Sequence, residues 1–145
     1  MNFGKILVVC VGNICRSPTA EFLLARSLPR MQVSSAGLAA VVGADMDPNA
    51  RLVAQERGLI CPTHVARQLT REHCSDADLI LVMESRHRDA VTKLCPEARG
   101  KTFLLDVSRP AKDIHDPYRR DKNTFERIYA QLAAGCEAWA QKLDR

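Results

Sequence analysis

The chain has 145 residues, of which 46% are hydrophobic and 26% charged, and its formal net charge is +4. This length is typical of a single domain with one substantial core. Lys and Arg are scattered apart from residues 119–122, without the basic stripe that is typical of nucleic-acid-binding proteins. We therefore expect one domain over residues 1–145 and no nucleic-acid partner.

Short apolar runs alternate along the chain with amphipathic stretches. The runs predict four strands, at residues 5–10, 32–35, 78–83 and 101–105. Helices are predicted over residues 18–28, from 48 to Gly58, near 71–74, from Ser85 until Pro96 ends it, and after a long loop that reaches about residue 121. Such alternation indicates βαβ units, and therefore an α/β fold with a parallel sheet and helices on both faces.

Several predicted helices carry start signals. Ser17 is a candidate N-cap that precedes Pro18, Asp47 precedes Pro48, and Thr70 can cap the short third helix. The last helix carries an apolar stripe at steps of three and four, which predicts one face packed on the core. The residues of that stripe are Phe125, Ile128, Leu132, Cys136, Trp139 and Leu143.

Ligands of parallel sheets bind beyond the carboxyl ends of the strands, and the first predicted strand ends at Cys10. The segment from Cys10 to Pro18 joins that strand to a helix, so its backbone N–H groups can form a nest for an anion. Gly12 and Asn13 tolerate the backbone angles that a tight loop needs, and Arg16 can bind two phosphate oxygens at once. A positive field of this kind favours the thiolate of Cys10, which can attack a phosphate ester.

The remaining cysteines do not suggest a metal site or a disulfide framework. Six cysteines occur at irregular spacings, without the paired ligands that zinc requires.

The apolar run from Ile6 to Val11 is too short for a secretory leader or a membrane span. We expect a cytoplasmic protein without membrane insertion, metal or cofactor, in which Cys61, Cys74, Cys95 and Cys136 are buried as small apolar side chains.

The segment VCVGNICRSPTAE resembles the signature of the low-molecular-weight protein tyrosine phosphatases, and the resemblance extends over the whole chain. It includes residues 35–37 (SAG), 64–68 (HVARQ) and 116–118 (DPY). Within the family, the chain resembles the bacterial members associated with exopolysaccharide and capsule export. The resemblance implies a three-layer domain whose four-stranded parallel sheet has the order 2-1-3-4, with the phosphate-binding loop after strand 1.

The resemblance also implies roles for individual residues. Cys10 corresponds to the nucleophile of a two-step cysteinyl-phosphate mechanism, Arg16 to the phosphate-binding arginine and Asp116 to the general acid and base. Phosphate and substrate would be bound by Val11, Gly12, Asn13, Ile14, Cys15, Ser17 and Tyr118.

Other positions are implied to support that loop. Ser35 and His64 resemble the hydrogen-bond partners of Asn13, and Ser17 would bond the Cys10 sulfur. Cys15 would lie close enough to Cys10 for a reversible disulfide that protects the nucleophile.

Two segments would form the walls of the cleft. Tyr118 would form one wall and residues 38–42 the other. Arg119 stands where many animal members carry a second tyrosine, which makes the cleft edge more basic.

The implied function is hydrolysis of phosphotyrosine in a protein substrate. An autophosphorylated bacterial tyrosine kinase of polysaccharide export is the implied partner, and phosphate and vanadate are the implied inhibitors.

Two alternatives stay open. A thioredoxin-coupled arsenate reductase shares the C-x5-R loop but needs two further cysteines close together, whereas Cys74 and Cys95 are 21 residues apart. A catalytically silent phosphotyrosine-binding module would have no need of both Cys10 and Asp116. The physiological substrate and the oligomeric state are not encoded in a recognisable pattern.

Overall fold

The computed structural model describes residues 4–144, which build a four-stranded parallel sheet in the order β2-β1-β3-β4. The strands are β1 Lys5–Cys10, β2 Gln32–Gly37, β3 Leu79–Val82 and β4 Thr102–Leu104. The paired strands run parallel in register, with Cys10 opposite Gly37 at one end of the β1–β2 pair. The predicted α/β fold and its strand order are confirmed.

Within residues 4–144, five α-helices pack around the sheet. They are α1 Arg16–Ser27, α2 Pro48–Glu56, α3 Arg71–Asp76, α4 Ser85–Leu94 and α5 Lys122–Leu143, and a 3-10 helix covers Pro96–Lys101. Each predicted helix is present. Pro96 ends α4 as expected, but it also opens the 3-10 helix because its fixed φ and missing N–H suit the first position of a helical turn.

Alternate residues of β1 point to opposite faces of the sheet and so belong to two cores. Ile6 and Val8 pack with side chains of α1, α2 and α5, including Leu24 and Leu132. Leu7 and Val9 contribute to a second, smaller core with residues of α3 and α4 such as Val91. This two-residue alternation on a strand buried on both faces produces the three-layer arrangement.

The helix starts show one wrong prediction. Asp47 caps α2 by accepting from the N–H groups of Asn49 and Ala50, and Thr70 caps α3, as predicted. Ser17, however, is not an N-cap. The helix already begins at Arg16, after Cys15, and the Ser17 hydroxyl binds tertiary partners instead of a backbone N–H group.

The fold gathers three segments at one edge of the sheet. The chain moves outward from β1 to β2, then crosses back to the other side of β1 for β3 and β4. The carboxyl ends of β1 and β3 therefore lie side by side at the point where the winding reverses, which is the usual ligand position in such sheets. The loop after β1, Glu84 after β3 and the loop 105–121 after β4 all begin at this edge.

Candidate active site

The loop that follows β1 has all its carbonyl groups turned outward. Each carbonyl from residue 10 to residue 15 accepts a hydrogen bond from a donor outside the loop. The donors are the backbone N–H groups of Leu38, Ala39, Val41 and Asp47, the His64 ring and the Thr19 hydroxyl, at distances of 2.6 to 3.0 Å. Because C=O and N–H lie on opposite sides of a trans peptide unit, the N–H groups of residues 11–16 point into the loop.

None of these six N–H groups donates a hydrogen bond to another residue within 4–144. The loop leads directly into α1, whose N-terminal dipole adds positive potential at the same place. Converging free N–H groups at a helix N-terminus form an anion-binding cradle. We call residues 10–17 the phosphate loop.

The loop is pressed closely against the end of β2. A Cβ atom built at Gly37 would lie 2.4 Å from the carbonyl oxygen of Val11, which is too close for any side chain. The glycine in the SAG segment thus allows the backbone contact that turns the carbonyls of Cys10 and Val11 outward.

Asn13 holds the loop in a strained conformation. Its φ is +58°, in the left-handed region, and it is completely buried. The amide donates to the hydroxyls of Ser17 (2.8 Å) and Ser35 (2.9 Å), and its oxygen accepts from the N–H of Arg67 (3.0 Å). These bonds explain why the strain persists. Within the phosphate loop only Asn13 has a positive φ, and Gly12 does not.

The amide of Asn13 also fixes the direction of the Ser17 hydroxyl. Since Ser17 Oγ accepts from Asn13, its own hydrogen is free to point at the Cys10 sulfur, 2.9 Å away. A hydroxyl donated to sulfur stabilises the thiolate over the thiol. Ser35 in turn donates to Glu21 (2.6 Å), whose pKa is raised mainly by burial.

Arg16 is held from behind and is only 1% exposed. One terminal nitrogen of its guanidinium donates to Glu84 (2.6 Å) and to the carbonyl of Ile114 (2.8 Å). The Nε atom is buried and has no hydrogen-bond partner among the described residues. A buried unpaired donor is costly, so this nitrogen is poised for an anion in the cradle.

Glu84 connects Arg16 with a buried histidine. Burial alone would raise the pKa of Glu84, but hydrogen bonds from Arg16 and Arg86 outweigh it and lower that pKa. His87 lies with Nε2 3.4 Å from the Glu84 carboxylate, and its Nδ1 accepts from the Glu84 backbone N–H. Burial, with the charge of Arg16, lowers the pKa of His87 to about 4, so the ring is neutral at pH 7.

The phosphate loop forms the floor of a cleft of about 230 Å³. Ala39, Val41, Asp116 and Tyr118 also line it. Asp116 is 45% exposed at its side chain and lies 3.9 Å from a terminal nitrogen of Arg16. A thiol, a guanidinium and a carboxyl group therefore line one cleft.

The structure places the sequence-predicted residues together. The side chains of Asn13, Ser17 and Ser35 and the ring of His64 form one network beneath Cys10. Cys15 also lines the cleft, and burial together with the charges of Asp47 and Asp116 raises its pKa far above the usual value for cysteine. The catalytic roles of these residues remain predictions.

Sequence reasoning missed three participants. Glu84 directly follows the buried strand β3 and its neighbour Met83, and an acid at the carboxyl end of a parallel strand could have indicated a site residue. Arg67 and Glu21 lie within the segments HVARQ and VCVGNICRSPTAE, but the sequence indicated no role for them, because they act through a backbone N–H and a second layer of hydrogen bonds.

Residues 4–144 contain no group of three or more His, Cys, Asp or Glu side chains placed to share a metal ion. In the same range, no helix has both the length and the apolar composition needed to cross a bilayer.

Comparison with known proteins agrees with this geometry. The family model for low molecular weight phosphotyrosine protein phosphatase matches residues 5–145. The tyrosine phosphatase Wzb of Escherichia coli K12 is 49% identical over 98% of this chain and 97% of its own length. The structure of Vibrio vulnificus Wzb in complex with benzylphosphonate is 48% identical, with a TM-score of 0.94 over 98% of this chain and 100% of that one.

The same fold also includes a different specificity. The arginine phosphatase YwlE of Geobacillus stearothermophilus is 37% identical and has a TM-score of 0.90 over 97% of this chain and 92% of that one. The full-length family match, together with the cradle, the buried Arg16 and the carboxyl group at the cleft, leads to one conclusion. The chain belongs to the low molecular weight phosphotyrosine protein phosphatase family.

Proposed function

We propose that this protein hydrolyses phosphotyrosine in protein substrates through a covalent phosphate on Cys10. The observation that carries the proposal is the arrangement around the Cys10 sulfur. The Ser17 hydroxyl lies 2.9 Å from the sulfur, the loop offers six unpaired N–H groups and Arg16 an unpaired Nε, and Cys10, Arg16 and Asp116 line the same cleft. Each group that a two-step phosphoryl transfer requires is thus supplied by the chain.

In the first step the Cys10 thiolate attacks phosphorus, the S–P bond forms and the bond to the phenolic oxygen breaks. The protonated carboxyl group of Asp116 gives its proton to that oxygen, which leaves as a phenol. Arg16 and the loop N–H groups bind the equatorial oxygens, where charge is spread in the transition state. Glu84 and Ile114 fix the guanidinium in advance, so little reorganisation is needed.

In the second step Asp116 is a carboxylate and accepts a proton from water. The resulting hydroxide attacks phosphorus, the S–P bond breaks and inorganic phosphate forms. The Ser17 hydroxyl stabilises the departing thiolate, since it lies 2.9 Å from the sulfur. The enzyme returns to its starting state, with the proton on Asp116.

The cleft has one feature that suits phosphotyrosine, and the fold has one that disfavours a rival activity. Tyr118 lines the cleft as an aromatic wall that can stack on the phenyl ring of phosphotyrosine. Arsenate reduction with a thiol relay needs accessible cysteines, whereas Cys74 and Cys95 are completely buried in the second core. Phosphotyrosine hydrolysis is therefore the activity that the site supports best.

The proposal extends to partner, location and domain organisation. The resemblance to bacterial members of polysaccharide export supports an autophosphorylated tyrosine kinase as the substrate. A cytoplasmic location fits this partner and keeps Cys10 reduced. The family model covers residues 5–145, which supports a single domain over the whole chain.

The first test is hydrolysis of a phosphotyrosine peptide near pH 6, with excess EDTA and a reducing agent, beside the same peptide carrying phosphoarginine. We expect phosphotyrosine to be cleaved preferentially and the activity to survive chelation. In Cys10→Ser, turnover should fall by more than roughly 10⁴-fold because a hydroxyl in place of the thiolate is a poor nucleophile.

The Cys10→Ser variant should still bind vanadate, because the N–H groups and Arg16 are unchanged. Cys61→Ser is the matched control, since Cys61 lies outside the cleft, and it should keep the wild-type rate. Preferential cleavage of phosphoarginine, or full activity of Cys10→Ser, would contradict the proposal.

A further inference from the structure

The turn after Asp116 has an unusual residue at its third position. Pro117 accepts a hydrogen bond from the N–H of Arg120 (2.9 Å), which closes a turn over residues 117–120. Arg119 has a φ of +63°, whereas Tyr118 has no positive φ. This combination is typical of a type II turn, in which the third position is normally glycine or asparagine. An arginine here adopts a disfavoured backbone conformation.

Packing does not explain why an arginine stands at this position. The Arg119 side chain is exposed and forms no hydrogen bond or ion pair with any other residue within 4–144. Lys122, by comparison, is paired with Glu56 at 3.0 Å. Residues in strained backbone conformations cluster at active sites and ligand clamps.

The guanidinium of Arg119 is placed against the cleft wall. Its carbon lies 5.3 Å from the centroid of the Tyr118 ring, a distance typical of a cation–π contact. Tyr118 lines the cleft, but Arg119 is not among the lining residues. A ligand that fills the cleft and contacts Tyr118 therefore leaves this positive charge accessible at the edge.

We propose that Arg119 is a specificity-determining residue that binds an anionic group next to the phosphotyrosine of the substrate. That group is the carboxylate of an acidic residue or the phosphate of a second phosphotyrosine. The planar fork of arginine binds both bidentately, and stacking on Tyr118 restricts the side chain before binding. The inference rests on the proposed function, because it requires a phosphotyrosine in the cleft.

The test uses three phosphotyrosine peptides that differ only in the flanking residue. This residue is Gln, Glu or phosphonomethyl-phenylalanine, a phosphotyrosine mimic that cannot be hydrolysed. Wild type should show a three- to tenfold higher kcat/KM for either anionic peptide than for the Gln peptide at low salt, and the difference should shrink as salt is added. The Glu and mimic peptides show which anion is bound better.

Arg119→Gly should bring this ratio close to one. The variant should fold at least as stably as wild type, since glycine suits the positive φ. Arg120→Gln is the matched control: it removes a neighbouring exposed charge that has no aromatic contact, and it should retain most of the preference.

The outcomes separate this inference from the proposed function. A wild type without preference for the anionic peptides, or an Arg119→Gly variant that keeps the preference, overturns the role of Arg119. An equal loss on all three peptides would mean that Arg119 only shapes the loop, and it also overturns the inference. A wild type that cleaves none of the peptides refutes the proposed function itself, and the inference with it.

Discussion

The phosphate loop and the loop that carries Asp116 meet at one cleft but are built in opposite ways. In the phosphate loop every carbonyl from residue 10 to residue 15 is bound, and Asn13 and Arg16 are buried. The loop of residues 105–121, which we call the acid loop, is anchored at Ile114 and Pro117, which are buried. The carboxyl group of Asp116 between them is 45% exposed. Asp116 is fixed chiefly by accepting from the N–H of Tyr118.

This difference matches two chemical tasks. Stabilising a charged transition state needs dipoles that are fixed before the reaction, because reorientation would use up part of the electrostatic gain. Transferring a proton to a leaving group and then taking one from water needs a group that solvent can reach. Under the proposed mechanism, the buried loop would bind the phosphate and stabilise its charge, and the open loop would transfer the proton.

Among the changes that test this contrast and leave Cys10 in place, the largest effect is expected in the acid loop. Asp116→Ala should lower kcat by roughly 10²–10⁴-fold for phenyl phosphate, because a phenolate of pKa about 10 leaves poorly without a proton. The loss should be much smaller for an aryl phosphate with a strongly acidic phenol. Steady-state kinetics on a series of aryl phosphates measure this dependence.

Asp89→Ala, at an exposed position of α4, is the control. Its kcat should depend on the acidity of the leaving phenol as the wild-type kcat does. An equal loss for good and poor leaving groups would show that Asp116 is not the acid, and the contrast between the two loops would then fail.

A smaller effect is expected behind the phosphate loop. Glu84→Gln keeps the shape of the side chain but removes the charge that pairs with Arg16 at 2.6 Å. A hydrogen bond between charged groups contributes about 1.5–3 kcal/mol, so kcat/KM should fall roughly 10- to 100-fold. Vanadate affinity should weaken in parallel, which titration calorimetry would detect.

The control for Glu84 is Glu72→Gln, an exposed acid in the first turn of α3. If Glu84→Gln bound vanadate as tightly as wild type, the guanidinium would be positioned by the loop alone, without the carboxylate behind it.

The smallest effect concerns stability and comes from His87. Burial and the charges of Arg16 and Arg86 lower its pKa from 6.5 to about 4, against the raising effect of Glu84 and Asp113. The unfolded chain thus binds the proton more readily. The contribution of His87 to the free energy of unfolding is therefore fully present above pH 6.5. It is lost as the pH falls towards 4, by up to roughly 3 kcal/mol.

Urea unfolding of wild type and His87→Gln at pH 7, 5.5 and 4 checks this expectation. The variant should lose less stability over that range than wild type. His115→Gln, which changes an exposed histidine, should show the same dependence of the free energy of unfolding on pH as wild type. If the free energy of unfolding of His87→Gln fell with pH as steeply as that of wild type, other titrating groups would account for the loss of stability in acid.

Much of the fold could be predicted because local patterns and long-range structure agree. The apolar run at residues 5–10 became β1 with the same bounds, and the stripe from Phe125 to Leu143 became one face of α5. Boundaries were less accurate where tertiary partners compete. Ser17 has the chemistry of an N-cap, but the amide of Asn13 and the sulfur of Cys10 use its hydroxyl instead.

The sequence by itself determined the class of chemistry. A cysteine at a strand end, an arginine six residues later and a helix start are local, and their spacing already specifies a thiolate beside an anion nest. The parallel sheet follows from the alternation of strands and helices.

Only the tertiary structure decided how the nest is oriented and how Arg16 is held. The carbonyl groups turn outward because residues 38–47 and His64 supply donors, and Glu84 and Ile114 lie 68 and 98 residues from Arg16. The stacking of Arg119 on Tyr118 likewise depends on the backbone of a turn. Such contacts depend on which groups the folded chain brings together, so a local sequence pattern does not predict them.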